Sequence, residues 1–570
     1  MFNLLDDPWL RVSAVGDLGS DALKAPVETG LRDLVLHADQ FRDLVVDLPT
    51  QKPAIFRQLL LPLVVDALGS PKDAETWTLM FRAGAFTEEQ RQRLIAYMDS
   101  HHHRFGLFDP VDPFAQVAGL RTAKGETKGS ALLVATMATG NNVPLFSSRT
   151  EGDPPALTPA QAAHWLLHTH CWDTAAIKTG AVGDTRAKSG KTTGNPTGPL
   201  GQLGVTLPLG RTLYETLLLN IPYGYTRLSD DLPQWRRRAV DEAAAEDTLS
   251  CATPGWQSRA ARGLLDLWTW QSRRIRLFPE ESTGETRVTR VIVAAGDRLD
   301  LSPDLETHTA WAVERPSTRT AKPTRKASPT MRPRRHQPGR AAWRGLGPLL
   351  AINAADQERE ATATRSGFRT STVIARLSET CRQLPPAYPL QVELTGITYG
   401  NQSAVIEDLY HDAIPLPVTA LDPDGIVYGA LLEAVEQAEN LAAAVNHLSG
   451  DLRRAAGAPP IPWDKGQRPG DTLLHALDPV VRRLLTGLRT VGEDFEVSER
   501  GLEAWERKAG QITWRVADQL LAAVPARLFT GRKVVKDGKE RTYALDIAER
   551  TFLNRLDTVL HRRAAARRNG

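Results

Sequence analysis

The sequence predicts an α+β protein, with a large mixed α/β N-terminal domain over residues 1–416 and a C-terminal antiparallel four-helix bundle over residues 417–570. Stretches such as 390–399 and 286–293 alternate apolar and polar residues with the two-residue period of half-buried strands. Capped helical stretches and joints rich in Gly and Pro lie between them. After Pro417 the pattern changes to the 3.6-residue apolar period of helices, in segments at about Gly425 to Ala455, Asp471 to Leu488, Ser498 to Val524 and Leu545 to Ala566. An antiparallel bundle buries four such stripes economically.

At 570 residues and 41% hydrophobic content the chain is long enough for several domains with a substantial core. No apolar run reaches the length of a membrane span, and the opening Met1-Phe-Asn-Leu-Leu-Asp-Asp lacks a signal peptide's basic start, so no membrane association and a cytoplasmic location are expected. Cys171, Cys251 and Cys381 are far apart with no CxxC pair, which points to neither disulfides nor zinc. No metal or cofactor is expected. The net charge of +3 is small but unevenly spread, with basic residues crowding into Lys178 to Lys191, Arg315 to Arg344 and the terminal Arg562, Arg563, Arg567 and Arg568. Such local patches would steer a polyanion.

In chain order, Phe2 to Val12 reads as a short strand with an Asp-Pro turn, anchored by Trp9. Ala54 to Leu68 is a core helix interrupted by Pro62, and Thr87-Glu-Glu-Gln90 is a capping box that starts another helix. His101-His102-His103 cannot converge on one ion from a helix end, because successive side chains diverge by about 100°. They suit a helix terminus. The loop 139–150 carries one aromatic, Phe146, with two readings: it stacks on an unpaired base, or it pins the loop by burial. Thr158-Pro-Ala-Gln161 is a second capping box opening a helix to about Cys171, and His168 and His170 near its end do not share a face.

The run from Lys178 to Gly194 interleaves glycines with Lys178, Arg186, Lys188 and Lys191. Glycines let backbone approach a ligand closely while cations neutralise phosphates, so a groove-lining exposed loop follows, whose glycines could be enlarged with the fold intact. Gly190-Lys191-Thr192 is not a P-loop, since Thr185 stands where its first glycine is required. Trp268 to Phe278 and Thr286 to Val293 form a hairpin, followed by the turn Ala295-Gly296-Asp297-Arg298. The Pro- and cation-rich stretch between Arg315 and Arg340 has too few apolar residues to order itself. In the bundle, Arg532 to Lys539 is an exposed basic turn.

The strand Leu390 to Tyr399 ends in Gly400-Asn401-Gln402 and resumes at Ser403. Two amides therefore stand at a hairpin tip, either as a solubilising turn or as donor and acceptor pairs suited to a base edge or an opened base pair. Sequence motifs of catalysis are missing: no HExxH, no GxSxG and no metal-spaced cysteines. His411-Asp412 alone is compatible with an HD-type phosphohydrolase, the alternative function class.

Six islands, Asn3-Leu-Leu, Pro113-Phe-Ala-Gln116, Gly180-Ala-Val-Gly183, Trp270-Gln271, Ala341-Ala-Trp343-Arg344 and Gly400-Asn401-Gln402, together resemble the CasA-type large subunit of the type I-E CRISPR Cascade complex. The resemblance covers nearly the full chain. It implies a non-catalytic subunit that recognises the protospacer-adjacent motif in duplex DNA, helps open the duplex for R-loop formation and helps recruit a helicase-nuclease. The implied partners are the guide RNA 5′ handle, target duplex DNA, the other Cascade subunits and the helicase-nuclease effector. By the same resemblance, Phe146 touches the 5′ handle, and Gly180, Ala181, Val182 and Gly183 lie in the minor groove over the motif. Gly400, Asn401 and Gln402 form a wedge pushed into the duplex beside it. The family places a minor-groove lysine near Arg298, so that contact is either replaced by Arg298 or displaced. Minor-groove contact of this kind is permissive in sequence, because that groove displays few distinguishing groups.

Overall fold

The computed structural model describes residues 2–16, 25–137, 153–237, 253–282, 284–314, 330–351, 367–462, 466–492, 494–536 and 539–569. Phe146, Cys251 and most of the basic stretch, 315–329, lie outside the described residues. One unit comprises Met1–Arg340, Ala351–Thr380 and Gln391–Ala413; the other comprises Ala341–Leu350, Cys381–Leu390 and Ile414–Gly570. The second thus takes in two short segments that precede Pro417.

The first unit is built on one helical run, Gln51–Ile55, Phe56–Leu60 and Leu61–Leu68, whose residues are all buried as far as Val65. Pro62 does not interrupt it. Instead the ladder widens into a π turn over Phe56–Leu60, just before the proline that lacks an N–H. Two charges on this run are buried and therefore paired. Arg57 forks onto Glu306 at 2.7 and 2.9 Å, while Lys52 reaches Asp43 and Glu393 at 2.7 Å each.

Small antiparallel sheets surround the run. Leu10–Ala14 lies between Val27–Thr29 and Phe41–Val45, and Glu285–Ala295 lies between Lys128–Gly129 and Arg273–Ser282. Gln391–Gly400 lies between Val205–Leu209 and Val405–Pro415. Glu393 belongs to this central strand, so Lys52 ties the helical run to the predicted hairpin. The capping boxes at Thr87 and Thr158 both form. The helix Glu88–His101 ends where the histidine triplet begins, and His102 pairs with Asp6 at 2.6 Å.

In the second unit the helices Ile426–Ala455, Pro469–Leu488, Phe495–Ala522 and Leu545–Val559 form the four-helix bundle around Leu431, Val445, Leu477, Leu485, Trp505 and Phe552. The fourth segment breaks at Leu560 and continues as His561–Asn569. Where a basic turn was expected, Arg532–Lys536 pairs with Lys539–Tyr543 as a β-hairpin. The terminal basic patch is also partly consumed. Arg562 binds Glu433, Glu499 and Glu506, and Arg563 faces Asp557, so these two cations are spent inside the fold. Among the described residues no helix is long and apolar enough to cross a membrane.

Candidate nucleic-acid interface

The glycine-rich run folds as a small hairpin in which Lys178–Thr179 pairs with Lys191–Thr192. Its far end turns through Ser189 and Gly190, both at positive φ, with Lys188 and Lys191 exchanging backbone hydrogen bonds. A strand, not a helix, therefore follows Gly190-Lys191, in keeping with the rejection of a P-loop. Ala181 to Asp184 forms a second turn, closed by Asp184 N–H to Ala181 C=O at 3.1 Å, with Gly183 at φ +90°. That is the pattern of a type II turn, which places glycine at its third position.

The four predicted groove residues split into two pairs. Gly180 is buried, and a Cβ there would lie 2.8 Å from the Gly190 carbonyl carbon. The Ala181 methyl joins a cluster with Val117, Leu120, Ile292 and Ala294. Val182 and Gly183 are exposed at the crown of the turn. The expectation that the glycines tolerate enlargement is thus corrected: Gly180 sits where two chain segments touch, and Gly183 needs a left-handed backbone. Gly180→Ala is expected to cost about 1–3 kcal/mol by overpacking and Gly183→Ala about 1 kcal/mol. Hydrogen exchange at the Gly180 amide checks this, and equal loss of protection in the two variants would refute it.

Lys178, read as a phosphate contact, is instead buried against Asp173 at 2.6 Å. Burial pushes its pKa below the usual lysine range; Asp173 opposes this, and the nearby Arg273 reinforces it. Arg186, Lys188 and Lys191 remain exposed. Arg298 lies beside the hairpin: its Nη2 donates to Thr193 C=O at 2.8 Å, and its Nη1 is 3.8 Å from where a Gly194 Cβ would stand. Its guanidinium stacks 4.1 Å from the Trp256 ring, and that of Arg186 lies 4.4 Å from the same ring.

At the other predicted element, Asn401, Gln402 and Ser403 have φ of +33°, +57° and +58°. Three successive non-glycine residues in the left-handed region are costly, and such strain concentrates at functional sites. The second strand accordingly starts at Val405, two residues later than the sequence reading. Gly400 is still strand, and a Cβ on it would lie 1.8 Å from Glu407 Oε1. Asn401 and Gln402 are both exposed.

One short segment holds both elements. Tyr399 Oη donates to Trp172 C=O at 2.5 Å, and Ala175 N–H donates to Ser403 C=O at 2.8 Å. Trp172 ends the buried helix Pro159–Trp172, and Lys178 begins the glycine hairpin. Both elements also border one cavity of about 250 Å³, lined by Trp172, Asp173, Ile177, Thr179, Ala404 and Ile406 among others.

His168, His170 and His411 each have a partner in the fold. His168 bonds Thr50 and His170 bonds Ala115 C=O, each at 2.9 Å, and burial pushes their pKa values down to about 3 and about 4. His411 bonds Glu393 at 2.9 Å. Burial raises the Glu393 pKa, but the His411 hydrogen bond and Lys52 outweigh it and hold the carboxyl below the usual glutamate range. Among the described residues, possible ligand atoms of Glu433, Glu506 and His561 lie within 4.8 Å of one another, but Arg562 already bridges the two carboxylates. Gln116 has a structural task that the sequence did not reveal: its side chain bonds Leu107 C=O and Leu277 N–H, each at 2.8 Å, bracing the Arg273–Ser282 strand.

These features define a large α+β protein with a helical bundle and an exposed loop-and-hairpin face. The chain belongs to the family described as CRISPR-associated protein Cse1, which it matches over residues 3–516. It is 32% identical over 281 residues to the CRISPR-associated protein CasA/Cse1 of Thermus thermophilus; that alignment spans 49% of each chain, about half the length of the relative. Its fold is similar to the crystal structure of Thermobifida fusca Cse1, with TM-score 0.76, 31% identity and coverage of 99% of this chain and 98% of the other. It is likewise similar to Cse1 of Acidimicrobium ferrooxidans, with TM-score 0.76, 27% identity and 98% of each chain covered.

Proposed function

We propose that this chain is the non-catalytic DNA-recognition subunit of a type I-E CRISPR guide-RNA surveillance complex, Cascade, acting in the cytoplasm. It reads the protospacer-adjacent motif in duplex DNA, helps open the duplex for R-loop formation and helps recruit a helicase-nuclease. The observation that carries this reading is the joint anchoring of two exposed features, the Val182-Gly183 turn and the strained Asn401-Gln402 tip, on the segment Trp172 to Lys178. A narrow turn suits a minor groove, and a protruding amide suits the space beside a separating base pair. Arg298 lies beside the glycine hairpin, against Thr193, where a cation would meet the negative potential of a groove. Phe146 contacts the guide RNA 5′ handle, and base pairing to the guide reads the remaining sequence.

The test compares the isolated chain with the assembly that contains guide RNA. The isolated chain should bind duplex weakly, with dissociation constants of about 10⁻⁴–10⁻⁶ M at physiological salt, because its exposed cations are dispersed. Motif-dependent binding should appear only in the assembly. Tight, motif-specific binding by the isolated chain refutes the proposal, as does hydrolysis of DNA, RNA or ATP by the purified chain with metal added.

A further inference from the structure

The cations around the glycine hairpin differ in what they are committed to. Lys178, Arg273 and Arg274 are buried and paired with Asp173 or Asp297. Arg186 and Arg298 form no ion pair among the described residues, and both stack on Trp256. The nearest carboxylate on the loop, Asp184, is engaged by the Arg186 backbone N–H and by Thr192 Oγ1, each at 2.9 Å. Trp256 Nε1 and Arg298 Nε are buried donors without an acceptor among the described residues. The station is therefore rich in donors and positive charge and poor in acceptors. Burial lowers the Arg298 pKa, the charges of Arg186 and Arg273 lower it further, and the Asp184 carboxylate offsets this only in part.

We propose that Arg186 and Arg298, held over the Trp256 indole, grip backbone phosphates of the duplex at the rim of the groove that Val182 and Gly183 face; this rests on the DNA-recognition proposal above. Contact with the ring restrains each guanidinium while its remaining N–H groups stay available to phosphate oxygens. Gly183 is within reach of the same station, since a Cβ on it would lie 3.4 Å from Pro254, two residues before Trp256. Arg298 is then a positioning contact on the backbone, not a reader of bases, and Trp256 orients it without touching DNA.

The experiment measures duplex binding by the guide-RNA assembly against salt, for wild type, Arg186→Gln, Arg298→Gln, Trp256→Leu and Trp256→Phe. Each glutamine variant should reduce the slope of log K against log salt by about 1 and weaken all motif variants alike. Trp256→Leu keeps both charges and should lose affinity with little change in slope, and Trp256→Phe, which keeps a ring, should recover most of it. A duplex carrying a neutral methylphosphonate at the gripped position should bind wild type and Arg186→Gln equally. If wild type has a salt slope that both glutamine variants share, the grip is wrong and the recognition proposal stands. A change of motif preference in Arg298→Gln also overturns the grip. If the wild-type assembly shows no salt-dependent duplex binding, the recognition proposal itself falls.

Discussion

Replacing Arg273 by methionine is expected to loosen the glycine hairpin and the amide-bearing tip together. Arg273 is 1% exposed, and its Nε donates to the Asp173 carboxylate. Its Nη2 donates to Thr174 C=O and Pro196 C=O at 2.8 Å each, so one guanidinium clasps the chain just before and just after the hairpin. Methionine fills similar volume but leaves these half-buried acceptors without the guanidinium. Removing one partner of a buried ion pair costs about 3–5 kcal/mol, and Lys178, still bound to Asp173, keeps the loss near the lower end. Burial raises the Asp173 pKa, but Lys178 and Arg273 outweigh it and hold the carboxyl below its ordinary value. Its contribution is therefore complete above the unfolded value of about 3.9 and is lost only as pH falls through the lower folded value. The penalty of Arg273→Met should be flat between about pH 6 and 8 on this reasoning.

Hydrogen exchange checks the linkage directly. The Gly180 amide, bonded to Gly190 C=O, and the Ala175 amide, bonded to Ser403 C=O, should both exchange about 100-fold faster in the variant, as expected for about 3 kcal/mol. Release of Gly180 with Ala175 still protected would show that the hairpin and the tip are held independently.

Local patterns carried the helices well. Apolar residues at helical spacing encode the bundle stripe within each segment, and the boxes at Thr87 and Thr158 encode helix starts by a contact three residues away. The hairpin Arg532–Tyr543 was also signalled, by Asp537-Gly538 between Val534-Val535 and Thr542-Tyr543, but its many cations made it read as a turn. What the sequence could not show was long-range commitment of charge. Lys178 looked like its neighbours Lys188 and Lys191 until Asp173 and Arg273 were brought against it, and Arg562 looked like a free terminal cation until three glutamates surrounded it. Trp256 lacked a local signal because the two arginines over its ring come from segments distant in sequence, Arg186 from the glycine hairpin and Arg298 from the start of the strand Arg298–Asp300. At the tip, Gly400-Asn401 pointed correctly to a turn, yet the glycine is there to avoid Glu407 and the left-handed residues are the three that follow.

Those left-handed residues make Gln402 the sharpest test of the recognition proposal. A glutamine at φ +57° occupies a conformation that glycine would adopt without strain, and its exposed side chain contributes no packing to offset this. If the amide stands beside separating base pairs, its loss should hinder strand opening, which carries an unstacking cost of a few kcal/mol. Gln402→Ala keeps the strained backbone and removes the amide; it should weaken assembly binding to fully paired target about tenfold or more, a change of about 1.4 kcal/mol. A target with mismatches already placed beside the motif has part of the opening cost removed, so the same variant should bind it almost as wild type does. The salt slope should stay constant, since no cation is lost. Gln402→Gly separates strain from function: it should raise thermal stability by about 1 kcal/mol while losing strand opening as Gln402→Ala does. Equal weakening on paired and pre-opened targets would make Gln402 an ordinary contact, and no weakening on either would make the tip a turn whose strain serves no DNA task.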